Sequence, residues 1–156
     1  MSFVITGLPI ALFRPLFGLS DEALAERGVL RRRVDSPVGF PCRVTLEDAP
    51  LGESVLLLNY EHQPADNPFR SRHAIYVRET AAETRRAVDE IPPALALRKH
   101  VSLRAFDAED MLVDSEVAPG AELAPAIARL LARSDAAYLH AHNAGHGCYA
   151  ARIDRL

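Results

Sequence analysis

The stretch that decides the fold reads Tyr138-Leu139-His140-Ala141-His142-Asn143-Ala144-Gly145-His146-Gly147-Cys148-Tyr149. Successive side chains of a β-strand point to opposite faces. Leu139 and Ala141 therefore share an apolar face. Tyr138, His140 and His142 share the opposite face. This alternation predicts a strand that packs on a core through one face and presents imidazole rings on the other.

The same stretch contains the turn signals of a hairpin. We place a three-residue loop over 143–145, in which Gly145 supplies the positive φ that such a loop needs. The two strands are then expected over 136–142 and 147–154.

The length of this loop decides which side chains meet across the hairpin. With three residues in the loop, His142 faces His146 and His140 faces Cys148. Cross-strand Cβ atoms lie roughly 4.5–5.5 Å apart, which brings the side chains close enough to share one metal ion. A four-residue loop would instead pair His142 with Gly147 and disperse the cluster.

Imidazole nitrogens and a thiolate are typical ligands of zinc, and also of ferrous iron or copper. The three-residue loop therefore predicts a transition-metal site on His140, His142 and Cys148, with zinc as one candidate cofactor. A second interpretation stays open, in which the histidine and tyrosine side chains form hydrogen bonds or line a pocket without any metal.

Cysteine chemistry is an alternative to metal binding. In the segment 40–43, Cys42 is followed by Arg43, whose positive charge would favour a thiolate. Cys42 and Cys148 could act with a histidine as nucleophiles, or form a disulfide if they meet in space. They could equally be two small buried thiols that pack as hydrophobes. His140, His142, Cys148 and Cys42 are thus the candidate catalytic residues.

Several side chains are expected to form a pocket for a carboxylate or phosphate, because arginine matches both groups with two parallel hydrogen bonds. Tyr60 and His62 end an apolar strand, where binding groups are common. The predicted ligand-binding residues are Arg43, Tyr60, His62, Arg70, Arg78, Asn143 and Tyr149. Arg104 could join them. The alternative is solvated arginines paired with acids, such as Arg104 with Asp114.

The other segments predict an α+β fold. Strands are expected over 3–6, 30–34, 44–46, 54–60, 73–78 and in a hairpin over 101–117, and helices after Ser20, over 81–90 and over 122–133. The strand at 54–60 is apolar enough to be buried on both faces. In the hairpin, a loop at 108–110 would place Arg104 opposite Asp114 and Phe106 opposite Leu112. We expect one domain over 1–156, with an antiparallel-rich sheet and two or three packed helices.

The composition restricts the classes of function. The chain has 156 residues, 49% of them hydrophobic and 25% charged, with a net charge of −3. This balance gives no polybasic surface for nucleic acid. No apolar run reaches the roughly 20 residues needed to cross a bilayer, and the N-terminus lacks the basic region of a signal peptide. Two cysteines are too few for a secreted disulfide scaffold, so we expect a cytoplasmic protein.

Four segments together resemble a known family. They are 40–43, 56–62, 75–79 and 140–155, and they look like the bacterial domain-of-unknown-function family 1203, from about residue 38 to the C-terminus. The resemblance implies a bacterial single-domain protein and carries over no activity or catalytic residue. The family's terminal motif has an arginine where this chain has Gly145. That difference favours a site on His140, His142 and Cys148 over one that includes His146.

Two functions remain after these exclusions. The first is a small enzyme or small-molecule-binding protein with a His, Cys and Arg pocket at the terminal hairpin. It could depend on a metal ion and act on a small anion. The second is a non-catalytic module that forms homodimers. Convergence of Cys42 or His62 on His140 would favour the first.

Overall fold

Nine strands form two antiparallel sheets in the computed structural model, which describes residues 1–156. In chain order the strands are β1 (Phe3–Thr6), β2 (Leu30–Arg33), β3 (Ser54–Gln63), β4 (Ser71–Arg78), β5 (Arg86–Val88), β6 (Val101–Phe106), β7 (Leu112–Ala118), β8 (Tyr138–Asn143) and β9 (Tyr149–Arg155). The larger sheet has the order β5-β1-β9-β8-β6-β7, and the smaller one the order β2-β3-β4. The terminal hairpin therefore lies in the middle of the larger sheet.

Three α-helices complete the fold: α1 (Asp21–Ala25), α2 (Pro93–Ala96) and α3 (Leu123–Leu131). Short 3₁₀ turns span Ile10–Leu12, Arg14–Leu16 and Gly120–Glu122. Helix α1 begins as its sequence predicts, because the Ser20 hydroxyl accepts a hydrogen bond from the Ala23 amide. Helix α3 begins at Leu123, so Pro125 lies in its first turn, where proline is tolerated. The α+β prediction is confirmed.

Helix α3 covers one face of the larger sheet. Its apolar stripe, which includes Ile127 and Leu131, packs on the inward side chains of the central strands. Leu139 and Ala141 of β8 belong to this core and are fully buried. Burial of this apolar surface supplies the main stabilisation of the fold, and it fixes which face of β8 turns away from α3.

The smaller sheet covers the opposite face of the larger sheet. Ile75 and Val77 of β4 pack with Tyr149 of β9 in a second apolar cluster. At the far end of β3, the Gln63 side-chain amide donates a 2.8 Å hydrogen bond to the hydroxyl oxygen of Tyr138 on β8. The face that carries the β8 histidines is therefore enclosed between two sheets.

The turn of the terminal hairpin differs from the prediction. The Asn143 amide donates to the Cys148 carbonyl over 2.9 Å, and the Gly147 amide donates to the Asn143 carbonyl over 2.7 Å. The loop therefore comprises residues 144–147. The positive φ belongs to Gly147, at 78°, and not to Gly145.

The altered turn changes every cross-strand pair of this hairpin. A register shift follows Ala141, so His142 lies opposite Tyr149, and His140 lies opposite Arg152. The predicted pairs of His142 with His146 and of His140 with Cys148 are wrong. Turn length and bulges set register, and neither could be derived from the spacing of the histidines.

The hairpin of β6 and β7 is confirmed, but only part of its register is. Phe106 lies opposite Leu112, as predicted. A bulge next to this pair moves the remaining pairs by one residue, so Arg104 lies opposite Ser115. The predicted pair of Arg104 with Asp114 is wrong, since Asp114 instead forms an ion pair with Arg133.

Three further segment predictions need correction. Residues 44–46 form a turn in which Leu46 has a φ of 56°, instead of a strand. The predicted helix over 81–90 is wrong, because Arg86–Val88 form the edge strand β5 beside β1. Strand β3 is the middle strand of its sheet, yet it is not buried on both faces, since residues 57 and 58 are only half-buried. No helix of the structure is both long and apolar enough to cross a bilayer.

Gly120, in the segment between β7 and α3, provides a test of how that segment packs against α2. A Cβ atom built on Gly120 would lie 2.3 Å from the Leu95 carbonyl oxygen, whereas one on Gly145 would meet nothing within 4 Å. We expect Gly120→Ala to lower the free energy of unfolding by about 1–3 kcal/mol. Gly145→Ala, as the matched control, should change it by less than about 0.5 kcal/mol. Urea denaturation measures both, and equal stability of the two variants would contradict the packing described here.

Candidate functional site

Three histidines converge between the two sheets. His140 and His142 lie on β8, and His62 reaches them from the end of β3. One ring nitrogen of each lies within 4.8 Å of one ring nitrogen of the other two. We call these residues the histidine triad. His140 is 3% exposed and His142 is 1% exposed, so the triad is largely shielded from solvent.

A hydrogen bond fixes the tautomer of one triad member. The Nδ1 of His142 lies 2.9 Å from the Gly147 carbonyl oxygen, which can only accept. Nδ1 therefore carries the proton, and the lone pair of the neutral ring is on Nε2. A hydrogen bond from the second ring nitrogen to a carbonyl is the usual way in which a protein orients a metal-binding histidine.

Each triad member also has a buried ring nitrogen without a hydrogen-bond partner. These atoms are Nδ1 of His62, Nδ1 of His140 and Nε2 of His142. A buried polar atom that lacks a partner costs about 1–3 kcal/mol. One such atom on each ring of the triad makes the three imidazoles candidates for binding a ligand.

The environment keeps the triad uncharged at neutral pH. Burial is the main cause, and it lowers the pKa of His62 to about 4 and the pKa values of His140 and His142 to about 3. The positive charge of Arg104 lowers all three further. Neutral imidazole is the form that binds metal ions, so the site is ready for a metal without first losing protons.

Aromatic side chains form the walls of the site. The ring of Tyr149 stacks on His62 with 5.1 Å between centroids and 9° between planes. Tyr138 lies beside His140, and its hydroxyl donates a 2.5 Å hydrogen bond to Asp110. Burial and this carboxylate raise the pKa of Tyr138 to about 12. The walls hold the imidazole rings in place and add no competing charged ligand.

Arg104 is the free cation of the site. It lies directly opposite His140 on the neighbouring strand β6. On the other side of His140, Arg152 is paired with Asp154 at 2.8 Å. Arg104 forms no ion pair, and partial burial lowers the pKa of its guanidinium. An uncompensated guanidinium beside three neutral imidazoles could attract an anionic group.

Comparison with known proteins places most of the chain in one family. The family model described as "Protein of unknown function (DUF1203)" matches residues 39–155. The chain belongs to the DUF1203 family. The resemblance of its four segments to this family is thereby confirmed. No curated protein and no solved structure matches the chain significantly.

The DUF1203 match includes all residues of the triad and Arg104. Among the residues that the sequence pattern nominated, it is His62 that meets His140 and His142 in this DUF1203 protein. Cys148 does not belong to the group, because its backbone lies at the end of the turn, where its sulfur accepts a 3.2 Å hydrogen bond from the side-chain Nδ2 of Asn143.

The two cysteines are free and buried in this DUF1203 protein. The sulfur of Cys42 accepts hydrogen bonds from the amides of Thr45 (3.4 Å) and Arg78 (3.3 Å). Arg43, between strands β4 and β9, donates to the carbonyls of Tyr149 and Pro41. No disulfide joins the cysteines, and Cys42 lies outside the histidine triad.

The remaining nominated residues lie apart from the triad or in its walls. Arg70 forms an exposed ion pair with Glu61, and Arg78 binds Glu47 and Glu53, so neither guanidinium is free. Tyr60 packs in the apolar cluster that contains Tyr149.

Sequence reasoning overlooked two features near the triad. His73 lies close enough for its charge to lower the pKa values of His62 and His142. A run of three basic residues, 98–100, lines a neighbouring cavity. The basic run was visible in the sequence, but the position of His73 follows only from the pairing of β3 with β4.

The low pKa values of the triad predict how stability depends on pH in metal-free protein. An unfolded histidine has a pKa of about 6.5, so protons bind the unfolded chain first as the pH falls. The stability is therefore complete above pH 6.5 and decreases toward pH 4. We expect the urea midpoint to fall between pH 7 and 5, where ordinary carboxyl groups stay ionised, and to fall less in His140→Gln. An equal decrease in both proteins would contradict the buried, neutral state of His140.

Proposed function

We propose that this protein is a small metal-dependent enzyme whose histidine triad binds one transition-metal ion, with zinc and ferrous iron as the first candidates. The observation that carries the proposal is that each of three clustered histidines has a buried ring nitrogen without a partner within the protein. In a module held together only by structural hydrogen bonds, these nitrogens would be satisfied by backbone or carboxylate groups.

Three protein ligands are the number found in catalytic zinc sites, whereas structural sites are closed by four. The exclusion of Cys148 from the triad leaves the fourth position open. Zn–N bonds of about 2.0–2.1 Å place the ligand nitrogens of a tetrahedral site ~3.4 Å apart. Metal binding would therefore require small side-chain rotations that shorten the present spacing of up to 4.8 Å to that value.

The chain's own groups define what the site would accept. A zinc ion held by His62, His140 and His142 would activate water, whose pKa such ions lower to about 7. Arg104, which lies opposite His140 and is not paired with a carboxylate, would hold a carboxylate or phosphate group of the substrate next to that open position. The rings of Tyr149 and Phe106 pack against His140 and would shield that side of the site from bulk water. We infer a small anionic substrate on this basis.

Metal content tests the proposal directly. We expect about one metal ion per chain in protein reconstituted with Zn²⁺ or Fe²⁺ and measured by elemental analysis. His62→Ala should lose the metal, because the triad supplies all protein ligands. Cys148→Ala should keep it, and His100→Ala, which alters an exposed histidine, serves as the control. Metal bound by His62→Ala but lost from Cys148→Ala would favour the site predicted from the sequence, and no metal in any protein would refute the proposal.

Arg104 gives a second test. In protein loaded with Co²⁺, the visible spectrum should respond to acetate as the anion enters the metal site. We expect Arg104→Gln to lower the affinity for acetate by about tenfold, because the variant loses one charge-assisted hydrogen bond to the anion. Metal content should stay unchanged, since Arg104 is not a ligand. Equal acetate affinities in the two proteins would remove Arg104 from the substrate site.

A further inference from the structure

A second candidate site lies outside the histidine triad. A cavity of about 640 Å³ opens between the turn 144–147, the basic run 98–100 and the segment 39–43. Its basic lining residues are Arg43, His73, Arg98, Lys99, His100 and His146. None of its 15 lining residues is acidic. In a chain with a net charge of −3, this is a local concentration of positive charge.

Arg43 is the group in this cavity that most requires a counter-ion. Its side chain is buried, with only 3% of the residue exposed. Its Nε donates to the Tyr149 carbonyl over 2.7 Å, and its Nη1 donates to the Pro41 carbonyl over 2.6 Å. Carbonyl groups satisfy these donors but do not neutralise the charge, and Arg43 forms no ion pair. A buried cation without a counter-ion is costly, so the binding of an anion here would be favourable.

The other two permanent cations have different roles. Arg98 is neutralised, because its Nη2 donates to both carboxylate oxygens of Asp48 at 2.8 Å. This pair anchors the basic run to the body of the protein. Lys99, the only lysine of the chain, is exposed at the rim and forms no ion pair. Lys99 is therefore available to meet a ligand as it enters the cavity.

The rest of the lining indicates an organic ligand instead of a bare ion. Leu57, Ala74 and Tyr76 form an apolar wall on the exposed side of the smaller sheet. The Tyr76 ring is held against Phe40, with 5.2 Å between centroids. The volume lies within the roughly 300–1,000 Å³ range of small-molecule sites, whereas an inorganic anion alone would leave most of the cavity to water.

Asn143 supplies a further unsatisfied group. Its Nδ2 donates to the sulfur of Cys148, while its Oδ1 is buried and has no hydrogen-bond partner within the protein. Since both residues line the cavity, this acceptor could receive an N–H or O–H group of a ligand. An incomplete hydrogen-bond set beside an uncompensated guanidinium is the pattern of a site that a ligand completes.

We propose that this cavity binds a small organic anion, with its carboxylate or phosphate group between Arg43 and Lys99 and its apolar body against Leu57 and Tyr76. The site is distinct from the metal centre, since no residue of the histidine triad lines the cavity. The inference goes beyond the proposed function and stands without it, because none of these contacts involves a metal.

Calorimetric titration of the full-length protein tests the inference. The probes are phenyl phosphate and 4-hydroxybenzoate, which carry the two anionic groups, and phenol as the neutral control. We expect both anions to bind and phenol not to bind. Lys99→Glu should weaken anion binding by about tenfold or more, because an exposed attractive charge is replaced by a repulsive one. Arg129→Glu makes the same change of charge on the far side of α3. It should change the affinity for the anions by less than about twofold.

The double variant His140→Ala/His142→Ala separates this site from the metal centre. Retained binding of the anions by the double variant supports a separate cavity site, whether or not the wild-type protein holds a metal. Loss of binding in the double variant would place the anion at the triad and overturn the inference. It would also be overturned if neither anion bound below about 10 mM, or if Lys99→Glu and Arg129→Glu behaved alike.

Discussion

Strand β8 is covered on both faces, and the rest of the structure depends on this constraint. It lies between β9 and β6 in the larger sheet, with α3 on one side and the end of β3 on the other. The strand period of two residues sends Leu139 and Ala141 into the α3 core. His140 and His142 must then enter the space between the sheets. A shift of one residue would bury the imidazoles against α3 and remove Leu139 from that core, so the apolar core itself enforces the position of the histidines.

The space between the sheets is an unfavourable place for imidazole rings without a ligand. Most of the inter-sheet contact is apolar and needs no hydrogen bonds, as around Ile75 and Val77. At the triad, burial removes water from three rings and leaves a nitrogen of each unsatisfied. Apolar residues of similar volume would stabilise this region more. A sequence that keeps three imidazoles there, two of them buried and one half-buried, gives up stability, which is typical of functional sites.

Periodicity in the sequence was sufficient for most of the fold. The alternation along 138–142 and the stripe of α3 identified their elements, because both patterns depend only on local spacing. The prediction of a helix over 81–90 was wrong because the structure of this segment does not depend on local spacing. That segment is polar and lacks a clear period, and it becomes the strand β5 only through hydrogen bonds to β1, a tertiary partner that local propensity cannot identify.

The candidate site could be predicted in part. The shared face of His140 and His142 follows from alternation alone, and His62 was nominated as a binding residue at a strand end. Their convergence required two facts that are not local: the four-residue turn that moves Cys148 away, and the packing of the end of β3 over β8. The position of Arg104 in the site also depends on a contact that is not local, because the sequence does not show that β6 is the neighbour of β8.

The turn 144–147 links the two proposed sites physically. The Gly147 carbonyl accepts the hydrogen bond that sets the tautomer of His142. The same turn forms one wall of the basic cavity, and the Ala144 amide donates to the carbonyl of His100 in the basic run. An anion that orders this turn would also order the ring of His142, and a metal that holds His142 would stiffen the cavity wall. Any such coupling must act equally in both directions, because it is a free energy shared by the two binding equilibria.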